Sequence, residues 1–269
     1  MSIIEKIKNK GNWESFIEYK IYKGNISKKE IRDIQEFMST NKYDFYYKLI
    51  KENKFPTDYP QKIVINKISS NKKRIVYSYS NEENIVFKFI AFYLYEYDYM
   101  FQDCCYAFRK NYGVRDAVGR FKQNSLYANK YGFKADVRNY FNSIDTDILL
   151  DKLTFLIDKD KDLYELFAKI LKEKKVYDKC NLIIEDYGAM AGTPMSPFFA
   201  NVYLAHMDNY FHKKSIPYFR YSDDILIFAD SKEEIHDYSN KLLKYLHSSI
   251  LFIFGIYCSN GLIILIIFL

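Results

Sequence analysis

Between Lys28 and Ile50 the apolar positions Ile31, Ile34, Phe37, Met38, Phe45 and Leu49 recur at helical spacing. The polar Ser39-Thr40-Asn41 among them predicts two helices with a break. Pro56 and Pro60 mark a loop. Ile63 to Ile68 is a short apolar run, and Arg74 to Tyr79 alternates like a strand. Glu82 to Met100, with Ile85, Phe89, Phe92 and Tyr93 to one side, predicts a long buried helix. Gly113 to Lys122 predicts another, opening at Val114-Arg115-Asp116.

Downstream the pattern sharpens. Tyr131 to Val137 reads as a strand that ends in an acid, Asp136. Asp145 to Leu156 predicts a helix start with Asp145 as N-cap, Asp158 to Asp162 a charged turn, and Leu163 to Lys172 a helix. Pro197 to His212 predicts a helix apolar on one face, with Pro197 in the first turn, where its missing N–H leaves no bond unmade. Phe219 to Tyr221 and Ile225 to Ala229 are apolar runs flanking Ser222-Asp223-Asp224, and Lys232 to Leu246 predicts an amphipathic helix.

Composition narrows the class. The 269 residues hold 27 Tyr and 22 Phe, which excludes disorder for most of the chain. Nine Gly and five Pro exclude collagen-like or linker sequence, and four Cys exclude a disulfide scaffold. A net charge of +6 favours an anionic partner such as nucleic acid, although joint enrichment in Lys, Asn, Ile, Tyr and Phe is also what an AT-rich genome produces. Cys104-Cys105, Cys180 and Cys258 form no Cys-x-x-Cys pair, and His206, His212, His236 and His247 show no ligand spacing; buried thiols and surface histidines are expected. Met1 to Glu14 lacks the apolar core of a signal peptide, so a cytoplasmic location is expected.

The tail departs from this pattern. Ser248 to Leu269 contains no charged residue, and Ile250 to Leu269 is apolar except at Gly255, Ser259, Asn260 and Gly261. A span of about 20 apolar residues meets the length of a membrane helix. Three readings compete: a C-terminal anchor, a pair of buried strands turning at Ser259-Asn260-Gly261, or a segment read out of frame. The abrupt change in composition favours the last, and a membrane partner is not expected.

Two places put carboxylates where folding alone would not. Asp136 ends a strand, and Asp223-Asp224 sits at the tip of a hairpin with Ile-Leu-Ile-Phe-Ala following. Ionised carboxylates at the edge of an apolar sheet are costly unless paired or bound to a cation. Three of them suit a hard divalent cation such as magnesium, which takes oxygen ligands and substrate phosphates. A turn that uses Asp-Asp only because Asp favours turns is the competing account.

The neighbours of these acids resemble the reverse transcriptase family. Phe133-Lys-Ala-Asp136-Val-Arg-Asn-Tyr-Phe141 is similar to its first palm motif, and Tyr221-Ser-Asp-Asp224 to its Tyr-x-Asp-Asp box. Gly188-Ala-Met-Ala-Gly192-Thr-Pro194-Met-Ser196-Pro197 through Leu204 is similar to its middle motif. Lys72-Lys73-Arg74-Ile75 resembles the basic finger motif. Tyr106-Ala-Phe108-Arg109 with Asp116-Ala-Val118 resembles a segment of the bacterial retron, group II intron and phage-defence enzymes. The resemblance covers roughly residues 60 to 245.

It implies an α+β right-hand polymerase, with fingers over about 1–130 and a palm over about 131–247. The palm would be an antiparallel sheet backed by helices, carrying a fingers-like helical insertion near 145–185, and the thumb would be absent. It implies RNA-directed DNA polymerase activity on an RNA template with a DNA or RNA primer, dNTPs and two Mg2+ ions (or Mn2+), with a dedicated non-coding RNA as a further candidate partner. Asp136 and Asp223, with Asp224 as a weaker third and the backbone of Val137, would hold the metal. Arg74, less surely Lys73 or Lys72, with Arg138, Asn139, Tyr140, Phe141 and Ala191, would meet the nucleotide, Phe141 excluding a 2′-hydroxyl by bulk. Tyr221, Gly188 and Gly192 would meet primer and template, while Pro197 and Asn201 look structural. Many relatives carry Gln at position 191 and Pro at 190, where this chain has Ala191 and Met190. A truncated or inactive nucleic-acid-binding relative is the alternative, and a membrane-anchored polymerase a third.

Overall fold

The computed structural model describes residues 1–24, 26–66, 73–123, 130–251 and 253–260, the last as backbone. Its helices are α1 (Ile3–Ile7), α2 (Lys10–Lys23), α3 (Lys28–Ser39), α4 (Lys42–Lys51), α5 (Asn81–Tyr93), α6 (Val114–Gln123), α7 (Tyr140–Ser143), α8 (Thr146–Lys152), α9 (Phe155–Lys159), α10 (Lys161–Lys172), α11 (Ser196–Lys213) and α12 (Lys232–Ser248). Its strands are β1 (Gln61–Asn66), β2 (Lys73–Ser78), β3 (Tyr131–Val137), β4 (Lys175–Asp178), β5 (Asn181–Ile184), β6 (Tyr218–Tyr221), β7 (Asp224–Ala229) and β8 (Ile253–Asn260). The expected long helix over 82–100 stops at Tyr93 and continues as a 3-10 segment, Leu94–Met100.

The chain forms two compact units. The first joins Met1–Tyr95 to Leu150–Ser196, and the second joins Glu96–Leu149 to Pro197–Leu269. Residues 96–123, expected with the first part of the chain, group with the β3 sheet. The reason is backbone pairing: the Tyr106 N–H donates to the Arg220 carbonyl at 2.9 Å, and the Arg220 N–H to the Cys104 carbonyl at 2.8 Å.

In the first unit Ser2, Ser27 and Ser80 cap α1, α3 and α5 by accepting from the N–H of a Glu three residues on. Trp13 is fully buried, stacks on Phe89 with ring centres 4.0 Å apart, and donates its indole N–H to the Ile7 carbonyl at 2.7 Å. Asp160 ties the two stretches of chain together. One carboxylate oxygen accepts from Leu163 N–H at the start of α10, the other from Ile4 N–H in α1, each at 3.2 Å. Burial pushes its carboxyl up, against these two donors. The sheet of this unit runs β2-β1-β4-β5, with β1 and β4 parallel and the other pairs antiparallel. Neither α1 and α2 nor the β4–β5 hairpin is among the elements read from the sequence.

The second unit carries a fully antiparallel sheet in the order β6-β7-β3-β8. One face holds a cluster of Tyr106, Ala117, Phe219, Leu226 and Phe228, with Phe121 and Tyr221 against it. Helix α11 backs β6, its Phe211 stacked on Tyr218 at 4.7 Å, and α12 packs on β7 and β3 with Leu242 and Leu246 fully buried. The apolar tail enters this sheet: β8 pairs with β3 from Tyr131↔Asn260 to Val137↔Ile253, with a register shift between Asp136 and Val137. Residues 253–260 are therefore a strand and not a membrane helix, and no described helix is long and apolar enough to cross a membrane. The expected turn at Gly261 and the rest of the tail lie outside the described residues, as do Ile68 and Lys72.

Candidate active site

The site is built at one end of the second sheet. Strand β3 brings Asp136 directly opposite Asp224, the first residue of β7. Tyr221 pairs with Asp224 across the hairpin, leaving Ser222 and Asp223 as a two-residue turn. The Val137 N–H donates to the Asp223 carbonyl at 3.3 Å, so the turn is tied to the end of β3. Directly opposite residues in such a pair have Cβ atoms about 5 Å apart. All three acids are half-buried. The register thus sets Asp136 opposite Asp224, with Asp223 in the adjoining turn.

A cation also lies beside the doublet, contrary to what its local sequence suggested. Lys134, two residues before Asp136 on the same face, places its ammonium 2.9 Å from Asp224 Oδ1. Register is the reason: the partner comes diagonally from β3, which the sequence around 223–224 does not contain. Among the described residues no group of three or more His, Cys, Asp or Glu side chains is disposed to hold a metal ion. The donor chemistry nevertheless fits magnesium, which keeps several waters and is held by one or two carboxylates together with substrate phosphates. Asp136 and Asp223 would be the carboxylates available to such an ion, since Asp224 is engaged by Lys134.

Beyond β3 the chain turns through Asn139, at φ +48°, into α7. Arg138 and Asn139 are exposed. Tyr140, expected to meet the nucleotide, is buried; its hydroxyl donates to the Ala200 carbonyl at 2.6 Å, and burial drives its phenol far up. Its ring is a core anchor, because a buried phenol needs a fixed partner. Phe141 stays half-buried, edge-on to Phe108 with ring centres 6.0 Å apart. Tyr221 packs against the Phe219 and Leu226 cluster.

In the first unit Lys73 and Arg74 lie exposed on β2, paired with Asn66 and Ile65 of β1. Gly188 is buried at φ +54°. Gly192 has φ +98°, and a Cβ there would come within 2.8 Å of Val76 Cβ and 3.1 Å of the Tyr77 carbonyl. The close pass along β2 is enough to demand glycine there. Ala191, also expected at the nucleotide, is buried and gives its carbonyl to the Tyr77 N–H at 2.7 Å. At both positions the middle motif packs its backbone against β2.

Arg220, Asp208 and Asn201 form a fully buried polar cluster behind the hairpin turn. Asn201 is structural as expected, donating to the Ala107 carbonyl at 2.8 Å. The signal for Asp208 was available: it follows Asn201 by two helical turns on an otherwise apolar face. Cys104 and Cys105 are buried as expected, whereas Cys180 is exposed.

A family model described as reverse transcriptase (RNA-dependent DNA polymerase) matches residues 65–253. A putative COX1/OXI3 intron 2 protein of Saccharomyces cerevisiae is 28% identical over 118 residues, 44% of this chain and 14% of that protein, so the chain spans about a seventh of that relative. Two structures of telomerase from Candida tropicalis share the fold. One, in complex with a fragment of telomeric RNA, has a TM-score of 0.58 at 10% identity over 76% of this chain and 41% of its own; the other, without ligand, has 0.56 at 13% over 76% and 44%. With a family match over most of its length, and Asp136 registered against Asp224 in an antiparallel sheet backed by helices, the chain belongs to the reverse transcriptase family.

Proposed function

We propose that this chain is the fingers and palm of an RNA-directed DNA polymerase that extends a primer with dNTPs on an RNA template. The observation that carries the reading is the register of β3 against β7, which sets Asp136 opposite Asp224 with Asp223 in the adjoining turn. Asp136 and Asp223, with the backbone of Val137, would hold the divalent pair, and Asp224 would serve as the weaker third acid. Two Mg2+ ions, or Mn2+, stabilise charge on the attacking and leaving oxygens of in-line phosphoryl transfer when bound.

The chain's own groups do the rest. The primer 3′-hydroxyl gives its proton to water and attacks the α-phosphorus, the bond to the β-phosphate oxygen breaks, and pyrophosphate leaves with that electron pair. Arg74 and Lys73 neutralise the β- and γ-phosphates as charge-assisted donors. Arg138 and Asn139, exposed beyond β3, face the triphosphate, and the half-buried Phe141 ring limits the space for a ribose 2′-hydroxyl. Tyr221 supports the primer end.

Primer extension on an RNA template tests this. The wild-type chain incorporates dNTP in Mg2+, and Asp223→Ala lowers the rate by about 10^4-fold or more, the scale on which a core catalytic group acts. Equal incorporation by both proteins, or none by either, overturns the polymerase reading; RNA binding without synthesis would mark an inactive relative.

A further inference from the structure

Arg220 is completely withdrawn from water. Its Nε donates to Asp208 Oδ1 at 2.8 Å and its Nη2 to Asp208 Oδ2 at 2.6 Å, a forked pairing, and the Tyr218 hydroxyl donates to the same Asp208 Oδ1 at 2.8 Å. Nη1 reaches Asn201 Oδ1 at 3.3 Å, and Nη2 the Cys105 sulfur at 3.1 Å. Burial opposes the guanidinium charge, but the Asp208 carboxylate outweighs it and holds the group protonated.

A buried ion pair is a poor source of stability, since apolar residues of similar volume often do as well or better. The pair therefore calls for another explanation, and its last contact supplies one. Nη1 donates to the Ser222 carbonyl at 3.2 Å, inside the turn that carries Asp223. That turn is held poorly by its own residues. Ser222 sits at φ +60°, a region a non-glycine residue enters at a cost, and its hydroxyl is buried without a hydrogen-bond partner. Its conformation must be fixed from outside, by Arg220 on the Ser222 carbonyl and by Val137 on the Asp223 carbonyl.

We propose that Arg220, locked by Asp208, is a positioning residue that fixes the Ser222-Asp223 turn and so aims the Asp223 carboxylate. This rests on the reading of Asp223 as a metal ligand. The test replaces the polar cluster by apolar side chains, Asp208→Leu with Arg220→Met and Tyr218→Phe, so that no charge or phenol is left buried and unpaired. Two quantities are measured beside the melting temperature: amide hydrogen exchange over residues 221–225, and Mn2+ affinity by calorimetry.

The triple variant keeps a cooperative melting transition, while exchange in the turn accelerates about tenfold or more and Mn2+ affinity falls about 10- to 100-fold, as for other outer-sphere supports. Should it fail to fold, Arg220→Lys, which keeps the charge and loses the fork, is read in the same two ways. A folded variant with unchanged exchange in the turn overturns the proposal. Asp223→Ala is the control for the underlying reading: if it binds Mn2+ like the wild type, the metal assignment falls, and the exchange result still decides what Arg220 does.

Discussion

Each unit carries a four-stranded sheet, and each sheet contains a run of branched apolar residues, yet the two runs have opposite fates. Ile225, Leu226 and Ile227 in β7 are 0%, 3% and 0% exposed, whereas Ile63, Val64 and Ile65 in β1 are 42%, 53% and 42% exposed. Strand β7 is paired along both edges, with β6 and β3, and covered on both faces. Strand β1 meets β4 only at Gln61 and Lys62, and from Ile63 to Asn66 its described partner is β2 alone. A two-stranded ribbon has little to bury its side chains against. An apolar run therefore records a capacity for burial, and topology decides whether it is used. The acids Asp136, Asp223 and Asp224 stand on the sheet that is packed on both faces, where side chains are held most firmly.

The contrast is tested most strongly by the thiols of the two units. Cys105 lies under the Arg220 cluster, and burial pushes its thiol up to about 12, with Arg220 pulling the other way and Asp208 adding to the rise. Cys180 is exposed in the turn between β4 and β5. Since the thiolate is the nucleophile, at pH 8 roughly one Cys105 in 10^4 is reactive even before access is considered. Alkylation should therefore modify Cys180 at least about 1,000-fold faster, and the rate at Cys105 should rise about tenfold per pH unit while the fold persists. Comparable labelling of both at pH 8 would mean that the second sheet opens far more readily than its packing implies.

Truncation of matched residues sharpens the same comparison. Ile227→Ala removes a fully buried side chain and should cost about 2–5 kcal/mol of unfolding free energy. Ile65→Ala, on the exposed ribbon, should stay within about 0.5 kcal/mol. Urea titration of both variants measures the difference, and equal losses would show that the β1 run is covered in solution.

These pairs also explain what could be read in advance. Helices with a broken apolar period, such as α3 and α4, and strands ending in an acid, such as β3, were legible because the pattern and the stop signal lie in the same few residues. The pairing of the strands that carry Asp136 and Asp224 was approached through motifs of four to nine residues. What escaped depends on register between distant segments. Lys134 becomes the partner of Asp224 only once β3 is aligned with β7, and the glycine at 192 is explained only once β2 passes within contact of it. Tyr140 stands in a motif that points to the nucleotide, but its ring turns to the core because α11 offers the Ala200 carbonyl. The β4–β5 hairpin was missed because its strands are four residues each, with β4 exposed only at Lys175 and β5 mostly exposed, too short for a period to show.

The smallest expected effect bears on the turn itself. Ser222 holds φ +60° and buries a hydroxyl without a partner, two local costs at the point where the second sheet presents Asp223. Ser222→Gly removes both, since glycine takes positive φ without a Cβ clash, while the unfolded chain gains backbone freedom that partly offsets the gain. The net change in stability should be a rise of about 0.5–1 kcal/mol, seen as a small upward shift in melting temperature. Polymerase activity decides what the strain is for. If Arg220 and Val137 hold the turn from outside, the glycine variant keeps its rate to within about twofold. A rise in stability accompanied by a large fall in rate would show that the constrained serine backbone, and not the contacts of Arg220 and Val137, aims the carboxylate.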